Sequence, residues 1–263
     1  MIWSRRAALN GVQLDEVDPS IVIQSIELAD GRDNISAVGT AYGYGQRVTG
    51  SRRDTLEVTV KFGIDIRKDN MAGRVTALEA VNAWAATAAD GAWLTVNYRE
   101  NRRLWVMLAQ APGEGSAWDW AREYSITFRA YCIPYWEDET PAQAVGAVAQ
   151  SGSMVLGVPG NTKTVAEIRV ANKSGATITS VNITVAGQTM SFTGLSLGGS
   201  QTLIIDHVLS GNLYYLRARI GSVSVLAKRT GANDFIVRPG NNSISWSASR
   251  AVQVTASVRG RYL

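Results

Sequence analysis

The sequence predicts a mainly β chain of two domains, the first carrying a single helix, on three observations. Apolar and polar residues alternate in short runs through most of the 263 residues, one stretch alone repeats at helical spacing, and a strand near the middle ends in a proline and an acidic cluster. That mid-chain stretch organises the rest. Tyr124, Ile126, Phe128 and Ala130 alternate with Ser125, Thr127 and Arg129, the two-residue period of a strand with one wet face. Cys132, Ile133 and Pro134 close it, because proline donates no ladder hydrogen bond and biases the residue before it toward extended backbone. Tyr135, Trp136, Glu137, Asp138 and Glu139 follow, and the small residues 142–152 read as a linker. The expected domains are therefore 1–140 and 141–263.

In the first domain, Ile21 to Leu28 is a strand whose apolar face switches near Ser25, which calls for a bulge there. Asp30-Gly31 signals a turn, Gly39 to Gly45 reads as a glycine-loosened loop, and Arg47 to Arg53 as a basic turn. Gly43 and Gly45 lack the strand, helix and lysine of a phosphate-cradling loop, so no nucleotide site is read there. Leu56, Val58 and Val60 alternate with Glu57, Thr59 and Lys61 as a strand. From Asn70 to Ala89, Met71, Val75, Leu78, Val81, Ala85 and Ala88 recur by threes and fours, a helix with Asp69 or Asn70 as cap and Asp90-Gly91 as stop. Trp93–Tyr98 and Leu104–Leu108 form a hairpin around 99–102, and Trp118 and Trp120 lead into the mid-chain strand. About six strands result. Seven of eight tryptophans fall in this domain, and beside many arginines at least one of them is expected at an interface.

The second domain shows no helical period. Short strand-like runs follow one another between Gly, Asn and Ser: 165–170, 178–185, 190–195, 201–206, 213–220, 222–227, 235–238, 243–248 and 252–258. Even spacing of this kind predicts an antiparallel sandwich. Pro159-Gly160-Asn161 and Pro239-Gly240-Asn241 stand at the domain's two ends, and their edges are expected to be neighbours.

Composition narrows the function. Charged residues make up 18% and apolar ones 46%, a folded chain, and no apolar run reaches membrane-span length. The start lacks an apolar signal core, which points to synthesis in a cytoplasm. Residues 1–140 hold 15 Lys/Arg against 19 Asp/Glu, and residues 141–263 hold 11 against 3. The basic charges of the second domain are scattered singly, without the clusters and stacking aromatics of a nucleic-acid surface. Hydrolytic chemistry needs a histidine or paired carboxylates near a nucleophile, and the single His207 reads as a surface residue. Cys132 reads as core and Glu137, Asp138 and Glu139 as solvated linker charges, so no catalytic, cofactor-binding or metal-ligating residues are assigned and the chain is read as no enzyme. With one cysteine there is no disulfide framework.

The junction Phe128-Arg129-Ala130-Tyr131-Cys132-Ile133-Pro134-Tyr135-Trp136-Glu137 resembles that of the distal tail proteins of long-tailed bacteriophages. So do Asn233-Asp234-Phe235-Ile236-Val237-Arg238-Pro239-Gly240-Asn241-Asn242-Ser243-Ile244 and the ending Arg259-Gly260-Arg261-Tyr262-Leu263. The resemblance implies an N-terminal split β-barrel, similar to the tail-tube fold and packed with one α-helix, followed by a C-terminal galectin-like β-sandwich. It implies a virion-tail protein: a homo-hexameric ring under the tail tube protein that holds tail-tip hub or baseplate proteins, contacts the tape measure protein and lets DNA pass unbound. The acid excess of residues 1–140 suits a channel that repels phosphates.

For the ring contact, the segment of Tyr42, Tyr44, Arg47, Arg52 and Arg53 is the candidate subunit interface, since a loosened loop can order against a neighbour and arginine bonds bidentately. Two competing readings stand beside the ring: a monomeric carbohydrate-binding β-sandwich module, and an enzyme whose site lies between the domains. A sugar site needs an aromatic platform beside polar side chains, and the second domain's one tryptophan, Trp246, alternates with Ile244 and Ala248 on an apolar face, which assigns it to the core.

Overall fold

The computed structural model describes residues 5–29, 33–39, 46–66, 70–112, 123–210 and 213–263, without the side chains of 33–35, 37–39 and 46–52. It is mainly β and divides into two compact units, with Met1–Trp136 in the first and Glu137–Leu209 and Leu213–Leu263 in the second.

In chain order the first unit runs β1 (Ala7–Leu9), β2 (Val12–Gln13), α1 (Leu14–Val17), β3 (Ile21–Ala29), β4 (Asp33–Gly39), β5 (Gln46–Arg53), β6 (Leu56–Ile64), α2 (Met71–Ala86), β7 (Ala92–Val96), β8 (Arg102–Gln110) and β9 (Tyr124–Ala130). Its curled sheet has the order β2-β1-β7-β8-β9-β6-β3, all antiparallel. The mid-chain alternation is β9, with Ile126, Phe128 and Ala130 fully buried and Arg129 exposed. The face switch in β3 is a register shift between Ile23 and Ser25 against β6. The hairpin turns at Asn101, whose φ of 59° is left-handed.

Helix α2 covers the sheet. Asn70 caps it, its side-chain oxygen accepting from the Gly73 amide at 3.0 Å. It stops three residues before the expected Ala89, and the turn beyond it closes at Gly91, whose φ of +102° suits glycine alone. The buried stripe also differs from the expected one. It begins at Ala77 and runs through Leu78, Val81, Trp84 and Ala85, while Val75, in the second turn, is exposed. Trp84 anchors the helix: its indole meets Phe128 edge-on at 5.9 Å and its Nε1–H donates to Val12 O at 2.9 Å. Trp93 and Trp105 pack edge-on at 5.1 Å across β7 and β8, with the Arg103 guanidinium 3.6 Å over the Trp93 ring. Trp3, Trp118, Trp120 and the expected Asp30-Gly31 turn lie outside the described residues.

Two corrections concern β4 and β5. Arg47 to Arg53 is strand, not a basic turn, and pairs from Asp33↔Arg53 to Gly39↔Gln46 in an antiparallel ribbon. The strand count exceeds six for the same reason, and because β1 and β2 are too short to show a period.

After β10 (Trp136–Asp138) come β11 (Ala142–Val145), β12 (Ala149–Val158), β13 (Thr164–Asn172), β14 (Ile178–Val185), β15 (Gln188–Leu197), β16 (Thr202–Ser210), β17 (Leu213–Ile220), β18 (Val223–Ser224), a 3-10 turn (Leu226–Lys228), β19 (Arg229–Gly231), β20 (Ile236–Val237), β21 (Gly240–Val258) and β22 (Arg261–Tyr262). Residues 142–152 are therefore no linker. They are β11 and the start of β12, and both pair with β21. The two expected C-terminal strands are one long β21, which pairs with β12 and β14 along Gly240–Ala248 and with β11 and β13 along Val252–Val258. Apart from β10 and β22, which pair with each other, these strands form a β-sandwich whose core holds Phe192, Phe235, Ile168, Val254 and Trp246. Trp246 is 4% exposed because Gly146 and Gly152 leave room for its ring; a Cβ at Gly152 would stand 2.5 Å from it. The two Pro-Gly-Asn turns are neighbours, since Val158 pairs with Gly240.

Candidate functional site

Of the acidic cluster expected in a solvated linker, Glu139 is exposed, but Glu137 and Asp138 sit instead in the second unit's polar centre. Glu137 is 6% exposed and accepts from Arg261 Nε at 2.8 Å, an ion pair spanning 124 residues of sequence. Arg261 also donates to the Tyr214 hydroxyl at 3.2 Å. Burial opposes its charge, but the Glu137 carboxylate and the Tyr214 oxygen outweigh that and hold the guanidinium protonated. Burial also pushes the Tyr214 phenol far above its ordinary range. Around this pair, Asp138 N donates to Gly260 O at 3.0 Å, Asp138 Oδ2 accepts from Gly260 N and the Tyr262 hydroxyl, and Arg259 donates to the carbonyls of Asp138 and Glu139. Gly160 lets β22 approach, since a Cβ there would meet Arg261 O at 2.5 Å. The first strand of the unit is thus clamped to its last.

His207 is a second correction. It is buried, with 5% of its side chain exposed, and neighbours Asp234 and Tyr214. Its Nε2 lies 2.8 Å from Asp234 Oδ1, and its ring stacks on Tyr214 at 4.9 Å. Neighbouring strands β16 and β17 bring these rings together, a contact that spacing along the chain does not announce. Cys132 lies in the bend after β9, half-buried, where burial pushes its thiol up and away from the thiolate a nucleophile needs. Among the described residues no group of three or more His, Cys, Asp or Glu is placed to hold a metal ion.

Of the candidate interface residues, Tyr42 and Tyr44 lie outside the described residues. Arg47 and Arg52 are on β5, their side chains outside the description. Arg53 turns inward within its own unit: Nε donates to Pro134 O at 3.2 Å and the guanidinium lies 5.4 Å over the Tyr135 ring.

At the level of sequence, no family model and no curated protein matches the chain. Among solved structures, the SPP1 Dit (gp 19.1) protein, described as a paradigm of the hub adsorption apparatus in phages infecting Gram-positive hosts, superposes with a TM-score of 0.66 at 10% identity. The match covers 97% of this chain and 98% of that one. The chain has the Dit fold. A chain of the phage P2 baseplate in its activated conformation with Ca matches at TM-score 0.53 and 8% identity, over 97% and 98% of the two chains. The same baseplate with Sr gives 0.50 at 8%, over 97% of each. Identity this low means that the Dit fold is kept by pattern and packing, not by particular side chains.

Proposed function

We propose that this chain is a structural virion protein that forms a hexameric ring at the distal end of a phage tail tube, joins the tube to the tail tip or baseplate, and lets DNA pass. The observation that carries the reading is the end-to-end likeness to the SPP1 Dit protein, which takes in 97% of the chain and so both units, not one widespread domain. In this reading residues 1–140 make the ring, contacting the tail tube protein on one side and hub or baseplate proteins and the tape measure protein on the other. Their excess of four acidic charges suits a lumen through which DNA slides. Residues 141–263 form the sandwich that the ring carries. The hairpin β4–β5 supports the contact between subunits: it pairs only with itself among the described residues and carries Arg47 and Arg52.

Negative-stain imaging and mass in solution test the proposal. Closed rings of six 28.3 kDa subunits are expected, and the paired charge reversal Arg47→Glu with Arg52→Glu is expected to leave monomers. A wild-type chain that stays at 28.3 kDa at every concentration overturns it.

A further inference from the structure

Beside the buried His207, the second unit has a cleft of about 360 Å3 lined by Val165 of β13, His207 of β16, Tyr214, Tyr215 and Leu216 of β17, and Asn233 and Asp234 before β20. That volume falls in the range of small-molecule sites, roughly 300–1,000 Å3. We propose that it binds a neutral saccharide.

The polar groups of the cleft are fixed before any ligand arrives. Arg229 donates to the carbonyls of Ala232 and Asn233 at 2.8 and 3.0 Å and to Asn233 Oδ1 at 3.0 Å, which pins the segment carrying Asn233 and Asp234. The His207 ring, stacked on Tyr214, holds Asp234 Oδ1 from behind. Such preorganisation lowers the ordering cost of binding. The remaining valences point to hydroxyl groups. Asp234 Oδ2 is an acceptor and Asn233 Nδ2 a donor with no hydrogen-bond partner among the described residues, and together they match the adjacent donors and acceptors of a sugar ring. Tyr215, 49% exposed, offers an aromatic face for the ring's C–H side, flanked by Val165 and Leu216. The fold also bears a buried imidazole whose Nδ1 has no hydrogen-bond partner among the described residues, an unmet polar atom that core packing alone does not require.

The same groups exclude other ligands. Arg229 directs three of its N–H groups at its own loop, and the Asp234 carboxylate repels phosphates and acidic sugars. This inference stands on the cleft alone and does not depend on ring formation. The full chain is titrated calorimetrically with glucose, galactose and N-acetylglucosamine, with glucose 6-phosphate and glucosamine as charged counterparts. At least one neutral sugar is expected to bind with a Kd on the order of 1 mM. Tyr215→Ala, which removes a half-exposed ring, and Asp234→Asn are each expected to weaken that binding about tenfold or more. If no neutral sugar binds, or if Tyr215→Ala, confirmed folded by circular dichroism, binds it as well as wild type, the proposal fails. Binding of glucose 6-phosphate or glucosamine alone also overturns it, in favour of an anion or an amine site.

Discussion

The two units hold ion pairs of nearly equal length in opposite surroundings. In the first, Lys61–Glu27 at 2.8 Å and Arg129–Glu57 at 2.7 Å lie on the wet face of β3, β6 and β9, with a third to a half of most of these side chains exposed. In the second, Arg261–Glu137 at 2.8 Å is about nine-tenths buried on both sides. Distance therefore says little about what a pair does for the fold. Water screens the first two, whereas the third is a specific closure that is harmful once half of it is gone. The rings differ likewise. Among the large rings, the first unit pairs Trp84 with Phe128 and Phe62 with Tyr124, while in the second, where His207 stacks on Tyr214, the one tryptophan, Trp246, is seated over two glycines.

The sharpest way to break this contrast is truncation. Arg261→Ala leaves the Glu137 carboxylate buried without its partner and is expected to cost about 3–5 kcal/mol in urea unfolding. Arg129→Ala should not move the transition measurably. Equal effects would show that burial does not separate the two pairs. The aromatic contrast is tested next by Gly152→Val, whose Cβ would start 2.5 Å from the Trp246 indole and should cost about 1–3 kcal/mol, with a shift in tryptophan fluorescence. Smallest is the effect of Glu167. Burial, and then the neighbouring Asp206, hold its carboxyl above the ordinary value. The folded chain thus binds that proton more tightly than the unfolded chain. The resulting stability is present below the unfolded carboxylate range and is lost as pH rises through the folded value. Glu167→Gln, neutral throughout, should raise Tm near pH 7 and lose that advantage in acid, as thermal melts across pH would show.

Much of the fold was legible because apolar side chains declare their period. Strand β9, the bulge in β3, the Asn70 cap and the Gly91 stop all follow from residue type and spacing. Strands β11 and β12 were hidden because Ala, Gly, Ser and Gln are poor strand formers, and the glycines that look like linker are seats for a tryptophan about a hundred residues on. The β4–β5 ribbon was hidden by glycine and arginine, which read as loop. Helix α2 and most of its buried stripe, Leu78, Val81, Ala85 and the following Ala88, are legible in the spacing, but the same spacing gives Met71 and Val75 weight that belongs to Ala77 and Trp84. The polar centre and the cleft were illegible for another reason. Glu137 finds Arg261, and His207 finds Asp234, only through strand pairing, and no local pattern records a partner 124 or 27 residues away.

Strand β21 hydrogen-bonds to β11, β12, β13 and β14, all of which precede it in the chain. During synthesis those four strands leave the ribosome well before the segment that joins them. Until Gly240–Val258 follows, they present open edges on which another nascent copy can pair. The second unit thus closes only when its longest strand arrives, so the exposure of those edges lasts as long as the delay before β21 is made.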